Sequence, residues 1–140
     1  LVAHCKESLR ERNLPFDENT PFGVMLSVPS ACLTAEDFAA CGCDFFVIGT
    51  NDLTQYTHAV DREIAMVEHY YRPASPAMKR LITMVLDAAK PRNLPVTICG
   101  LAAGNPDSAV QYLHLGVRSF SMSPQSLLET KKALREADSK

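Results

Sequence analysis

Residues 44–62 read DFFVIGTNDLTQYTHAVDR, and the first half of that stretch decides the fold class. Phe45, Phe46, Val47 and Ile48 form a short apolar run rich in β-formers, the mark of a buried strand. The run stops at Gly49-Thr50-Asn51-Asp52, where an amide and a carboxylate emerge from the strand's C-terminal end. In parallel α/β folds, ligands bind and chemistry happens at that end. Arg62 follows in the same stretch, within reach of an anion held there.

Working outward, the punctuation repeats one unit of strand, loop and helix. An opening helix over 1–12 has apolar spacing at Val2, Cys5 and Leu9, and Asn13 and Pro15 end it. A first strand runs from Gly23 to Val28 into Pro29. Thr34 reads as an N-cap, with Asp37 as a weak capping box and the helix ending near Gly42. After the Phe45–Ile48 strand comes a long loop, then Ser75 as a cap with Pro76 at the first helical position. Met78, Leu81, Ile82 and Val85 give that helix its buried face. The third strand is Val96–Cys99. Asn105 and Pro106 open the next helix, Val110 and Leu113 face inward, and Gly116 closes it. A fourth strand spans 119–122. Ser123-Pro124 starts a last helix that carries Leu127, Leu128 and Leu134 and ends in a charged, frayed tail.

Four strands each followed by a helix imply parallel pairing with right-handed crossovers. Periodicity alone does not separate a half barrel from a small doubly wound sheet.

Composition fixes the broad class. The chain has 140 residues, 46% of them hydrophobic, enough for one ordered domain with a core over 1–140. Net charge is −2 with scattered Lys and Arg, so no nucleic-acid or anionic-membrane partner is indicated. There is no run of about 20 apolar residues and no signal-peptide pattern. The five cysteines are odd in number and lack the paired clusters of a zinc site; Cys41-Gly42-Cys43 is a C-x-C. Reduced cytoplasmic thiols are expected, with Cys5, Cys32, Cys41 and Cys43 as small buried hydrophobes.

GTNDLTQYTHAVDR, together with GVMLSVPSA at 23–31, ICGLAAGNP at 98–106 and FSMSP at 120–124, resembles the phosphoenolpyruvate-utilising enzymes. Within them it is most similar to the enzyme I type of bacterial sugar phosphotransferase systems. The resemblance runs from the opening helix to about Leu134. It implies an α/β fold, the second half (strands 5–8) of a (β/α)8 TIM barrel; a full barrel takes about 250 residues. It also implies phosphoryl transfer from phosphoenolpyruvate to a histidine on another domain, with Mg²⁺ and homodimerisation. The partners implied are phosphoenolpyruvate and pyruvate, and a histidine phosphocarrier protein engaged through that missing N-terminal domain. By the same resemblance Asp52 is a magnesium ligand, Asn51 donates its amide to the substrate phosphate, Arg62 clamps the substrate, and Cys99 protonates the enolate. Taken alone, Asp52 or Asn51 reads as a turn residue, Arg62 as a solvated charge and Cys99 as a buried thiol.

Two positions depart from the family pattern. Ser27, in Met25-Leu26-Ser27-Val28-Pro29, stands where the family carries a Glu that is the second magnesium ligand. Leu101 stands where the family has Glu after Cys-Gly. A competing expectation follows: a catalytically degenerate ligand-sensing or dimerisation module. Pyruvate phosphate dikinase and phosphoenolpyruvate synthase share the barrel and the Asn-Asp motif, but the DLTQYTHAVDR run favours enzyme I. None of His4, His58, His69 and His114 reads as the phospho-acceptor, although His58, in the loop before Arg62, is nearest the expected site. A half barrel would leave two strand edges open to pairing, so the isolated chain is expected to self-associate.

Overall fold

The structure is a computed structural model that describes residues 1–138. Four parallel strands form one sheet in the order β1-β2-β3-β4: β1 Gly23–Leu26, β2 Phe45–Gly49, β3 Val96–Cys99 and β4 Ser119–Ser121. The order never reverses, as it would in a doubly wound sheet. Stepping one way through helical crossovers agrees with part of a barrel.

Register separates the two faces. Leu26 pairs with Ile48, which pairs with Ile98. These three and Phe46 are fully buried in one cluster with Met78, Ile82 and Val85. The last three belong to α5, Pro76–Ala89, which begins as expected: Ser75 accepts from the Met78 amide. Residues on the opposite face alternate with these: Met25 opposite Val47, Gly49 opposite Cys99, and Cys99 opposite Ser121. That face is open, with Met25 58% exposed. Parallel sheets are normally covered on both sides.

The other helices are α1 Val2–Glu11, α2 Pro29–Leu33, α3 Ala35–Ala40, α4 Thr50–His58, α6 Pro106–Leu115 and α7 Pro124–Asp138. Asn105 caps α6 by accepting from the Ser108 amide, and Gly116 ends it in the left-handed region. Leu113 is buried as expected, whereas Val110 is half-buried.

Several expectations are corrected. The segment after β2 is no long loop: α4 fills its start, and a 3₁₀ helix spans Ala65–Tyr70. The first strand stops at Leu26, because Pro29 opens the short α2 with Val28 as its cap. Thr34 precedes α3, but its hydroxyl donates back to the Ser30 carbonyl and caps nothing. Cys32 and Cys43 are buried, while Cys5 and Cys41 are exposed; all five cysteines are free thiols. The last helix carries Leu127 and Leu128 as expected; both are exposed, and Thr130 is the buried residue there. The expected frayed tail is helical to Asp138; its last two residues lie outside the described ones. No helix among the described residues is long and apolar enough to cross a membrane.

Candidate active site at the strand ends

β2 passes directly into α4, with Gly49 as the N-cap and Thr50 as the first helical residue. Asn51 and Asp52 therefore sit in a first helical turn at the C-terminal edge of the sheet. A carboxylate there is favoured by the helix dipole. The helix itself is held by buried Leu53 and by Thr54, whose hydroxyl donates to the Thr50 carbonyl at 2.7 Å.

Two consecutive residues of α4 grip the turn that follows β3. The buried Thr50 hydroxyl donates to the Cys99 carbonyl at 2.7 Å. The Asn51 Oδ1 accepts from the Leu101 amide at 2.9 Å. Gly100 lies between them at φ 105°, and a Cβ there would stand 2.4 Å from the Thr50 hydroxyl oxygen. Only glycine fits both that conformation and that space.

Beside this turn lies a cavity of about 290 Å³, lined among others by Asn51, Cys99, Leu101, Ser121, Ser123 and Ser126. Asn51 has committed its oxygen to Leu101, so its amide nitrogen is the group left to donate. Burial pushes the Cys99 thiol pKa up. A thiol so shifted stays protonated at neutral pH and is suited to give a proton.

Asp52 and Arg62 form a neighbouring pair and do not line that cavity. Their nearest atoms are 3.9 Å apart, a long contact between partly exposed side chains that contributes little by itself. The Arg62 Nη1 is buried without a hydrogen-bond partner, which leaves a guanidinium nitrogen with unused donor capacity. Ser27 follows the end of β1 and abuts Gly49: a Cβ on that glycine would lie 3.1 Å from the Ser27 Cβ. Leu101 contributes its backbone amide, while its side chain is 72% exposed.

Among the described residues, no three His, Cys, Asp or Glu come together as a metal-binding group. Asp52 thus belongs to no three-ligand cluster among the described residues. It suits Mg²⁺ only as one contact to an ion otherwise held by water and substrate oxygens, a common arrangement for this cation.

Two further residues belong to the site. Thr50 was hidden by its ordinary appearance within Gly-Thr-Asn-Asp. Tyr71 donates to the Asn51 carbonyl at 3.2 Å, and nothing local in the sequence links the two. His58 is in the last turn of α4, not in a loop, and its Nε2 lies 2.9 Å from the Ser75 hydroxyl. His4, His69 and His114 are exposed.

The family model described as "PEP-utilising enzyme, PEP-binding domain" matches residues 1–139. The phosphoenolpyruvate-protein phosphotransferase of Borreliella burgdorferi is 42% identical over 136 residues, 97% of this chain and 24% of the relative. That of Haemophilus influenzae is 42% identical over 138 residues, 99% of this chain and 24% of the relative. The Buchnera aphidicola protein of the same name is 38% identical over 135 residues, 96% of this chain and 24% of the relative. The chain thus spans about a quarter of the length of these curated relatives. With the family's PEP-binding domain matched from Leu1 to Ser139, this chain belongs to the PEP-utilising enzymes.

Proposed function

We propose that this chain is the C-terminal, phosphoenolpyruvate-binding part of a phosphoenolpyruvate-protein phosphotransferase of the enzyme I type. The observation that carries the reading is the meeting of Asn51 and Cys99 in the lining of one cavity beside the strand ends. In this reading β1–β4 are strands 5–8 of a (β/α)8 barrel, and 1–140 is one partial-barrel domain. The complete protein is a cytoplasmic homodimer that serves a histidine phosphocarrier protein and a sugar transport system.

The chemistry requires charge neutralisation and positioning. Asn51 donates to the phosphate, and Arg62 offers a guanidinium to phosphate or carboxylate. The bond from phosphorus to the enol oxygen breaks, and a histidine nitrogen on another domain takes the phosphoryl group. The enolate electrons then capture a proton at carbon 3, supplied by Cys99, and pyruvate leaves. Asp52 would hold Mg²⁺, which when bound neutralises charge on the phosphoryl oxygens.

Calorimetric titration with phosphoenolpyruvate, with and without Mg²⁺, tests the reading. Binding that strengthens with Mg²⁺ and disappears in Asn51→Ala is expected. A complete protein carrying this chain that neither binds nor consumes phosphoenolpyruvate would overturn it.

Ser27 and Leu101 favour a second reading, in which the site binds phosphoenolpyruvate without turning it over. The exposed Leu101 side chain neither orients the thiol nor carries a proton. If phosphotransfer by the complete protein starts from nothing and appears in the Ser27→Glu, Leu101→Glu double variant, the second reading stands. Transfer by the native sequence removes it.

A further inference from the structure

We infer that Thr50 is a positioning residue for Cys99: its hydroxyl fixes the backbone of the thiol-bearing residue at the cavity, while Asn51 holds the far side of Gly100. The use of that thiol as a proton donor rests on the function proposed above; the positioning itself rests on geometry.

Four of this chain's eight threonines use their hydroxyls locally. Thr34, Thr54 and Thr83 each donate to the carbonyl four residues back on their own helix or its approach. Thr50 does otherwise. It sits in the first turn of α4, fully buried, and reaches across to a carbonyl 49 residues away. A buried hydroxyl is costly unless it is bonded, so the Cys99 carbonyl is the partner that makes this placement tolerable. Thr130 behaves in the same way: it is fully buried and donates to the Gly104 carbonyl at 2.9 Å. The segment from Cys99 to Gly104 is therefore held at both ends by buried threonine hydroxyls. Between those holds, the Asn51 oxygen captures the Leu101 amide.

The consequence concerns the thiol. Gly100 turns the chain sharply at φ 105°, and glycine by itself gives that turn little rigidity. Cys99 is the last residue of β3, where only Gly49 and Ser121 flank it in the ladder. Without the Thr50 bond, the peptide that follows Cys99 would lose its tie to α4. The thiol would then leave its single orientation at the cavity and sample more solvated ones.

Alkylation of the native protein with iodoacetamide across the alkaline range reads this directly. The Cys99 peptide is quantified by mass spectrometry, with exposed Cys5 as an internal standard. Thr50→Val removes the hydroxyl and keeps the bulk. Thr50→Ala and Thr50→Ser form a second pair that differs only by the hydroxyl, which keeps the test decisive if the valine variant does not fold. Thr50→Val and Thr50→Ala are expected to raise the Cys99 rate roughly three- to tenfold, the scale of one lost hydrogen bond, and to move its pH midpoint down. Thr50→Ser should keep the native profile despite its lost methyl group. Native profiles in the valine and alanine variants overturn the positioning role, as does a serine profile that follows alanine. The proton-donor reading fails separately: pyruvate formation unchanged by Cys99→Ser in the complete phosphotransferase would remove it.

Discussion

The side-chain oxygen of Asn51 accepts a 2.9 Å hydrogen bond from the backbone amide of Leu101, fifty residues further along the chain. Its amide nitrogen is consequently the only part of the side chain left to donate. Asn51→Asp keeps an acceptor for Leu101 but places charge where a donor was needed. Phosphoenolpyruvate affinity should fall at least about tenfold, the scale of one hydrogen bond to a charged group, with the melting temperature nearly unchanged. Asn51→Ala should lower both. Calorimetry and thermal unfolding monitored by circular dichroism separate the two; equal affinity in the aspartate variant would refute the donor role.

Gly100 gives a second prediction. Alanine there would adopt a backbone conformation that side chains avoid, and its Cβ would meet the Thr50 and Asn51 oxygens at 2.4 and 2.8 Å. Gly100→Ala should cost at least about 2 kcal/mol in urea denaturation, more than the backbone alone accounts for. Gly42 is the control, because it also has positive φ but nothing lies within 4 Å of its Cβ position. Gly42→Ala should cost about 1 kcal/mol. Similar losses at both glycines would mean that the close approach at Gly100 is easily relaxed.

Alkaline pH should weaken the fold through Cys32. Burial lifts its thiol pKa to about 11, above the ordinary value near 8.5. Between those values the unfolded chain releases the proton and the folded chain retains it. Stability is thus fully present below about pH 8.5 and is lost as pH rises through about 11. Cys32→Ala should be less stable at neutral pH, because a buried side chain is shortened, yet show a flatter decline over that window. Chemical denaturation at a series of pH values checks the slope; an undiminished slope in the variant would assign the effect to other groups.

The open sheet face and the edges β1 and β4 bear on association. At high concentration, light scattering on the 140-residue chain should give a mass above 15.4 kDa. Met25→Lys places a charge on the open face and should shift the chain toward monomer, since Met25 is more than half exposed and buries little in the folded chain. A monomer at all concentrations would show that neither edge nor face draws a second copy.

The sequence by itself determined the elements whose signals are local. Ser75-Pro76 and Asn105-Pro106 open α5 and α6 because a capping oxygen and a fixed proline φ act within one turn. The apolar run at 45–48 marks β2 for an equally local reason. Asn51 and Cys99 were identified by resemblance, and the structure brings them to one cavity. Only the tertiary structure decided that TNDLTQYTH is a helix. Its buried face holds Thr50 and Thr54 beside Leu53, and polar residues buried through hydrogen bonds leave no hydrophobic period to read. Tertiary structure alone also set the sheet order, the open face, and the bonds from Thr50 and Asn51 to a turn some fifty residues away. Those depend on which elements pack together, and a threonine hydroxyl carries no record of the distant carbonyl that will receive it.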